Sequence, residues 1–597
     1  MPDTPALPPR TIADWLSRVA AGSDLMPLLQ AVRERAQAAK PLGVWIHLCP
    51  EAAWAAQLEQ LKQRLAGDTP RAQLLQRYPL LGVPFAVKDN IAIEGEPTTA
   101  ACPAFGHVAE QSATVVQKLL DAGALWVGKT NLDQFATGLV GTRSPYGRPA
   151  SVADASRISG GSSSGSAVVV ARGIVPFALG TDTAGSGRVP AGFNGLVGIK
   201  PTPGRVSTAG VVPACRTLDC VSVFAHTVDD AARVLACTEG SDPADAYSAF
   251  APGAERLPNQ LRLGVPKQAD VDAASGYAAA WQAAQAHARA LGHELVELDF
   301  GPLHEVAALL YEGPWVAERH AACRTVFDTQ PEAMDDTVRR VIARAAGFDA
   351  TQVFEAQYRL RAMQQHLQAL WQTVDALLVP TAPTHPRFAE VDADPIGANA
   401  RLGTYTNFVN LLGWCALAVP AAPCAGGLPF GVTFIARGGL DVALQHIGRQ
   451  WMQAAATSPL PGPAVRATLP LAVVGAHLSG LPLNGQLLER GATLLEATTT
   501  APQYRLYALP GTTPPKPGLQ RVAAGGAAIA VEVWAVPLEA VGSFLALIPA
   551  PLGLGSLTLA DGRSVHGFVC EAHALAGARD ITEFGGWRAY LRSLAAT

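Results

Sequence analysis

Charged residues are scarce in this chain. Asp, Glu, Lys and Arg together make up 16% of 597 residues, against about 25% in ordinary soluble proteins. The formal net charge is −4, so the basic excess typical of nucleic-acid-binding proteins is missing. Arg172 and Pro176 interrupt the apolar run from Val168 to Leu179, and no run reaches the roughly 18 residues of a membrane-spanning helix. These shortages argue against nucleic-acid and membrane partners and favour a globular enzyme.

Signals for export, disulfides and metals are also missing. The opening residues, Met1 to Pro5, lack the charged and then apolar order of a signal peptide. None of the nine cysteines forms a C-x-x-C pair, and none of the thirteen histidines has a metal-ligand spacing such as H-E-x-x-H. We therefore expect a cytoplasmic protein whose cysteines are buried and reduced. The sequence indicates no metal site, and we expect no cofactor.

The pattern of apolar segments predicts two domains. From residue 80 to Trp451, strand-like runs alternate with helical periodicity, which is typical of an α/β sheet covered by helices on both faces. Within it, residues 293–298 read as an edge strand and 375–380 as a central one. Three prolines and a glycine then lie within residues 459–463. We predict a first domain over 1–455, a Pro/Gly linker over 456–470, and a small β-rich domain over 471–597.

Two clusters of serine and glycine dominate the first domain. Gly160–Ser166 and Gly180–Pro190 lie on either side of an apolar run, so both loops should be fixed at the ends of core elements. Such loops direct backbone N–H groups and hydroxyls towards one point, which suits an anion site or an acyl-transfer site. Each cluster taken alone could instead be a turn with a purely structural role.

Two further motifs occur nearby. The run 161–165 matches the nucleophile motif G-x-S-x-G with Ser163 at its centre, but the preceding residues, 153–158, make a poor core strand. Residues 123–130 match the phosphate-loop motif, but Leu125-Trp126-Val127 places strand formers where a loop is needed.

Lys88 closes a short apolar strand, where a lysine usually extends its amine to solvent. A role as a base would require its pKa to fall by about three units.

Together, these residues resemble the amidase signature family. The motifs Gly160-Gly161-Ser162-Ser163 and Gly180–Ser186 match, and so does the separation of 186 − 162 = 24 residues between two serines. The resemblance implies a central mixed sheet covered by helices and a Ser–cis-Ser–Lys triad. In that triad Ser186 is the nucleophile, Ser162 the proton shuttle and Lys88 the base. It also implies an oxyanion hole formed by the amides of Thr183, Ala184 and Gly185.

Within that family the chain is most similar to the allophanate hydrolases. The similarity lies in segments 98–105, 133–147, 475–480 and 584–590 and in Gly187. It implies a small anionic amide substrate, allophanate, formed during urea or triazine breakdown. It further implies that Tyr311 and Arg319, on one helix, hold the substrate, and that His477 belongs to an α+β C-terminal module that serves the second chemical step. The implied partners are a second copy, as a homodimer, and a urea carboxylase.

Other interpretations stay open at this point. The chain is also consistent with a broad-specificity amidase or an amidotransferase subunit of the same family. A non-catalytic scaffold for a urea-carboxylating partner is a third possibility, against which the intact Lys88, Ser162 and Ser186 argue. The C-terminal module has its own alternatives, oligomerisation or scaffolding, and His477 would then be a histidine held by structural hydrogen bonds.

Overall fold

The computed structural model describes residues 8–251, 253, 257–424, 426–455 and 468–595. Residues 8–251 and 257–455 belong to one compact unit and residues 468–595 to a second. Most of the predicted linker, residues 456–467, lies outside the described residues. The first strand of the second unit begins at Thr468, three residues before the predicted start of that domain.

An eleven-stranded mixed sheet forms the centre of the first unit, in the order β1-β5-β2-β6-β8-β7-β12-β13-β11-β9-β10. Strand β2 is parallel to β5 and β6, and β9 is parallel to β10 and β11, whereas the other pairs are antiparallel. A separate two-stranded ribbon pairs β3 with β4. The strands of this unit are β1 Trp45–Leu48, β2 Pro84–Lys88, β3 Pro97–Thr98, β4 His107–Val108, β5 Leu125–Thr130, β6 Phe177–Asp182, β7 Val197–Lys200, β8 Cys220–Ala225, β9 Arg262–Pro266, β10 Glu294–Leu298, β11 Ala376–Pro380, β12 Cys415–Pro420 and β13 Gly431–Ala436.

Helices cover both faces of this sheet. Side chains alternate across a strand, and in β11 Leu378 belongs to one apolar cluster while Leu377 and Val379 belong to another. The predicted mixed α/β architecture is therefore confirmed, with β10 at the edge and β11 inside. The helices are α1 Ile12–Ala20, α2 Met26–Ala38, α3 Glu51–Ala66, α4 Arg71–Arg77, α5 Thr114–Asp121, α6 Ser164–Ala171, α7 Arg188–Phe193, α8 Val228–Thr238, α9 Tyr277–Ala290, α10 Gly301–Glu312, α11 Val316–Thr329, α12 Asp336–Ala343, α13 Ala350–Leu367, α14 Leu370–Thr373, α15 Phe388–Ala393, α16 Gly397–Leu402, α17 Phe408–Leu411 and α18 Asp441–Ala455.

The second unit is rich in β-structure, as predicted. It contains a five-stranded sheet in the order β15-β18-β14-β20-β19 and a three-stranded sheet in the order β17-β16-β21. Its own apolar core includes Tyr504, Trp534 and Trp587. The elements are β14 Thr468–Val473, α19 Gly485–Leu488, β15 Thr493–Thr499, β16 Tyr504–Ala508, β17 Pro517–Arg521, β18 Ala530–Pro537, α20 Leu538–Leu545, β19 Leu552–Thr558, β20 Ser564–Cys570, β21 Arg579–Asp580 and α21 Trp587–Ala595.

The predicted burial of the cysteines is observed for eight of the nine. All nine thiols are free, eight of them are buried and Cys237 is half-buried. Among the described residues, no helix is both long enough and apolar enough to cross a membrane. The same residues contain no cluster of three or more His, Cys, Asp or Glu side chains suited to a metal ion.

Candidate active site

Lys88 is the last residue of β2, and its side chain is completely buried. Its Nζ atom lies 2.7 Å from Ser162 Oγ and 2.7 Å from Thr181 Oγ1. Burial lowers the pKa of Lys88 from its usual 10.5 to about 7, and it outweighs the opposing charges of Asp133, Asp219 and Asp182. A large fraction of these amines is therefore neutral near pH 7, as a general base requires.

Ser162 follows a cis peptide bond from Gly161 and is also fully buried. Its carbonyl accepts a hydrogen bond from the Asp133 amide at 3.1 Å. Only glycine fits before it, because a Cβ at residue 161 would stand 2.2 Å from Asp133 Oδ2. The first Ser/Gly cluster therefore directs the Ser162 hydroxyl to Lys88, and close packing around residue 161 requires a glycine at that position.

Ser186 lies on the loop between β6 and α7, and the Asp182 carboxylate holds this loop. That carboxylate accepts hydrogen bonds from the backbone amides of Gly185 at 2.8 Å and Gly187 at 3.1 Å. It also forms a bidentate ion pair with Arg188. Although burial raises the pKa of Asp182, Arg188 holds it below its usual value.

The described contact of the Ser186 hydroxyl lies outside the Lys88–Ser162 pair. The hydroxyl donates to the Gly138 carbonyl at 3.4 Å. In the described part of the chain no hydrogen bond joins Ser162 to Ser186. The structure thus forms one of the two predicted proton-transfer contacts and leaves the other open.

The predicted oxyanion donors differ in availability. The Gly185 amide already donates to Asp182, so it is not free to bind an oxyanion in this conformation. The amides of Thr183, Ala184 and Ser186 have no hydrogen-bond partner in the described contacts. We therefore replace Gly185 by Ser186 in the set of candidate donors.

Tyr311 and Arg319 do not share one helix, contrary to the prediction. Helix α10 ends at Glu312, Gly313 follows in an extended conformation, and α11 begins at Val316. The two side chains still meet, because Arg319 Nη2 lies 3.3 Å from the Tyr311 hydroxyl and the guanidinium stacks 5.0 Å from the Tyr311 ring.

Arg319 is a buried cation without a carboxylate partner among the described ion pairs. Only 1% of it is exposed, and its Nε atom has no hydrogen-bond partner. Its Nη1 atom donates to the Thr137 hydroxyl at 3.2 Å and to the Ala136 carbonyl at 3.4 Å, next to the Gly138 carbonyl that Ser186 contacts. Its charge also contributes to the lowered pKa of Lys88. Arg319 therefore lies near the Lys88–Ser162 pair and has capacity left for an anion.

Sequence reasoning missed three contributors. Thr181 is the second partner of Lys88, and the Asn90 amide donates to Thr181 at 3.4 Å. Asp219 accepts from the Thr183 hydroxyl and from the Ala214 amide at 2.8 Å. Thr181 stands inside the quoted Gly180–Ser186 motif, so its type was visible, but its contact to a residue 93 positions away was not.

The two alternative motifs are not supported. Ser163 is buried, and its hydroxyl donates to the Thr181 carbonyl at 3.2 Å. The phosphate-loop match falls on strand β5, where Lys129 forms a buried ion pair with Asp89 at 3.2 Å. Neither segment has the strand-turn-helix context that its motif needs.

His477 lines a small cavity of about 30 Å³ in the second unit. Its Nε2 atom lies 2.9 Å from Gln486 Oε1, and its ring stacks on Phe568 with centroids 5.1 Å apart. Burial lowers the pKa of His477, so the ring is neutral near pH 7.

A buried lysine paired with a serine, and a second serine loop with free amides, are the parts that an acyl-transfer enzyme needs. The chain belongs to the amidase family, whose model matches residues 27–444. A second model, the allophanate hydrolase C-terminal domain, matches residues 469–592.

Individual relatives extend the match across both units. The urea amidolyases of Lachancea kluyveri and Saccharomyces cerevisiae are 44% and 42% identical over 92% and 98% of this chain. The chain spans about a third of their length, 31% and 33% respectively. The crystallised selenomethionine form of Kluyveromyces lactis allophanate hydrolase is 41% identical, with a TM-score of 0.71 over 98% of this chain and 99% of that one.

Proposed function

We propose that this protein hydrolyses the terminal amide of allophanate, releasing ammonia and N-carboxycarbamate, which then breaks down to carbon dioxide and a second ammonia. The observation that carries the proposal is the buried Arg319 near the Lys88–Ser162 pair, which forms no direct ion pair among the described residues and whose Nε atom has no hydrogen-bond partner, although Asp219 and Glu318 lie within electrostatic range. A neutral amide would leave this guanidinium without a direct anionic partner, whereas the carboxylate of allophanate would form a charge-assisted hydrogen bond with it. The similarity to an allophanate hydrolase along nearly its whole length supports the same substrate.

The proposed mechanism uses the neutral amine of Lys88 as the base. Lys88 takes the proton of Ser162 while Ser162 takes the proton of Ser186, so the Ser186 oxygen attacks the carbonyl carbon. For this step the Ser186 hydroxyl turns from the Gly138 carbonyl towards Ser162. The amides of Thr183, Ala184 and Ser186 are then the donors available to the oxyanion. The relayed proton passes to the leaving ammonia, and water later cleaves the acyl-enzyme.

A comparison of allophanate with biuret tests the substrate assignment, because biuret has the same skeleton with a neutral amide in place of the carboxylate. We expect the wild type to show a kcat/KM for allophanate at least about 100-fold above that for biuret. In Arg319→Ala, KM for allophanate should rise about 10- to 150-fold, because a hydrogen bond to a charged group contributes about 1.5–3 kcal/mol. The value for biuret should change little, and ammonia release measures both.

Thermal unfolding of Arg319→Ala serves as the control, since an altered Tm would reveal a folding defect. Simple aliphatic amides and glutamine complete the substrate set. If one of these is the best substrate, the broad-amidase or amidotransferase alternative holds. If no amide is turned over and a serine-directed phosphonate fails to label Ser186, the scaffold alternative holds.

We also propose that the second unit accelerates loss of carbon dioxide from N-carboxycarbamate, with His477 at its cavity. His477→Ala is expected to leave the first ammonia release unchanged and to slow carbon dioxide release at least about 100-fold, which is the lower end of the effects of one acid–base group. His566→Ala, at an exposed histidine on β20 of the same unit, is the matched control. Equal rates of carbon dioxide release in both variants and the wild type would leave His477 with a structural role.

Supply of the substrate suggests the partners. Allophanate is carboxylated urea, and relatives named urea amidolyases carry the matching region within a longer chain. We therefore propose a urea-carboxylating enzyme as the upstream partner, a cytoplasmic location and a homodimeric assembly. We further propose that the domains divide near the predicted 456–470 linker.

A further inference from the structure

A buried carboxylate, that of Asp219, lies beside the loop that carries the candidate oxyanion donors. Asp219 comes directly before β8, whose first residue, Cys220, pairs with Asp182 at the end of β6. Because these strands are antiparallel, the register brings residue 219 opposite residue 183. The Thr183 hydroxyl donates to the Asp219 carboxylate, and the two residues are 2% and 6% exposed respectively. A side-chain hydrogen bond therefore holds Thr183 just after β6 ends.

The other contacts of Asp219 fix the position of its carboxylate. Its Oδ2 atom accepts a hydrogen bond from the Ala214 amide at 2.8 Å, and its Oδ1 atom accepts one from the Cys215 amide at 3.3 Å. The backbone between them also closes on itself, because the Asp219 amide donates to the Cys215 carbonyl at 2.9 Å. We call this segment, residues 214–219, the 214–219 loop. A movement of Asp219 away from Thr183 would break these backbone contacts.

The 214–219 loop also contacts the helix that bears Arg319. The amide and the hydroxyl of Thr217 donate to the Glu318 carboxylate of α11 at 3.3 Å and 2.7 Å. Burial raises the pKa of Asp219, whereas its hydrogen bonds and the positive charge of Arg319 act in the opposite direction. The loop thus connects the residue proposed to bind the substrate carboxylate with the residues proposed to bind the oxyanion.

We propose that Asp219 is a positioning residue of the oxyanion hole. By holding the Thr183 hydroxyl, it sets the direction of the Thr183 amide, which has no hydrogen-bond partner in the described contacts. An oxyanion donor must lie about 2.7–3.1 Å from the oxygen that becomes negative. A small rotation of residue 183 therefore slows the reaction without weakening substrate binding. This role rests on the amide hydrolysis of the proposed function, and it applies to any amide substrate.

Substitutions at both ends of the hydrogen bond test this role in the full chain. Thr183→Val removes the hydroxyl and keeps the backbone amide, whereas Asp219→Ala removes the acceptor. Each should lower kcat for allophanate about 10- to 100-fold and leave KM within about threefold of the wild type, because a misplaced donor affects only the transition state. Thr183→Ser keeps the hydroxyl and should hold kcat within about threefold of the wild type.

The measurement is steady-state ammonia release at about pH 8.5, where Lys88, with its pKa of about 7, is neutral. Removal of the Asp219 charge can only lower that pKa further, so the state of the base is the same in all variants. The double variant Thr183→Val/Asp219→Ala should show a kcat within about threefold of the slower single variant, because two residues that act through one contact are not additive.

Asp230→Ala is the matched control. Asp230 of α8 is also a buried aspartate, 1% exposed, and its carboxylate accepts a backbone amide, that of Ala13, at 3.2 Å. Its loss should lower Tm and leave kcat unchanged. If Asp219→Ala fails to fold, as thermal unfolding would show, the comparison of Thr183→Val with Thr183→Ser decides the question.

The outcomes separate the role of Asp219 from the proposed substrate. With an active wild type, an unchanged kcat in Thr183→Val overturns the role, and so does a Thr183→Ser variant that is equally slow. Effects that multiply in the double variant, or a rise in KM alone, also overturn it. If another amide is hydrolysed and allophanate is not, only the proposed substrate fails, and the same variants are compared with that amide. A wild type that hydrolyses no amide overturns both.

Discussion

Replacement of Ser186 by alanine should reduce ammonia release from allophanate by about 10⁴-fold or more. Removal of a serine nucleophile leaves only substrate binding and the oxyanion donors, which supply a small residual rate. The substitution removes a hydroxyl whose sole described contact is the Gly138 carbonyl at 3.4 Å, so Tm should stay within a few degrees of the wild type. Steady-state ammonia release and thermal unfolding measure the two effects.

Ser163→Ala is the matched control for this experiment, because Ser163 is the literal centre of the G-x-S-x-G match. Its buried hydroxyl donates to the Thr181 carbonyl, so its loss should lower the free energy of unfolding by about 1 kcal/mol. We expect kcat to fall less than about tenfold, since no proton transfer passes through this hydroxyl. If instead Ser163→Ala were inactive and Ser186→Ala active, the nucleophile assignment would be reversed.

Replacement of Lys88 by methionine should lower kcat/KM by about 10³-fold and remove the main acidic limb of the pH profile. The pKa of Lys88 is about 7, and the base must be neutral. Activity of the wild type should therefore rise with pH up to about 7 and level off above it. Methionine retains length and apolar character without a proton-accepting nitrogen, so the remaining activity should not depend on pH near 7. Initial rates from pH 5.5 to 9 measure this difference.

Lys129→Met provides the comparison, because Lys129 is also a fully buried lysine on the neighbouring strand β5. Lys129 pairs with the buried Asp89, so its loss leaves an uncompensated carboxylate and should lower Tm. The inflection near pH 7 should persist in this variant. An inflection that survives in Lys88→Met and vanishes in Lys129→Met would reassign the base.

The same pKa has a consequence for stability. In the unfolded chain Lys88 returns to its usual pKa of 10.5. Between pH 7 and 10.5 the unfolded state therefore binds more protons at this residue than the folded state, and its contribution to stability rises with pH in that window. Below pH 7 both states are protonated and the contribution is constant. The methionine variant should lack this rise.

Much of the fold follows from local pattern. The sequence pattern predicted β10 as an edge strand and β11 as an inner strand. The structure agrees, because Leu377, Leu378 and Val379 of β11 are buried whereas Glu294 and Glu297 of β10 are exposed. The position of Lys88 at the end of a buried strand was also visible. The sequence could not predict which residues form hydrogen bonds when they lie far apart in the chain, such as Lys88 with Thr181 and Thr183 with Asp219.

The errors near the site have local physical causes. The resemblance to the allophanate hydrolases implied one helix for Tyr311 and Arg319, but Pro314 lacks the amide that a continuing helix needs, so the helix breaks and the second begins at Val316. For Gly185, the resemblance to the amidase signature family implied an accessible amide. The neighbouring Asp182 carboxylate takes that amide, a competition that side-chain type alone does not reveal.

The contact of Ser186 with the Gly138 carbonyl affects how the protein reacts with electrophilic compounds. An alcohol that is bound to a carbonyl and separated from its proton acceptor has the low reactivity of any ordinary serine. Electrophiles that lack an acidic group should thus modify Ser186 slowly, and covalent inhibitors should react faster when they carry a carboxylate that reaches Arg319. The enzyme would then select among reactive compounds at the binding step, before Ser186 forms a covalent bond.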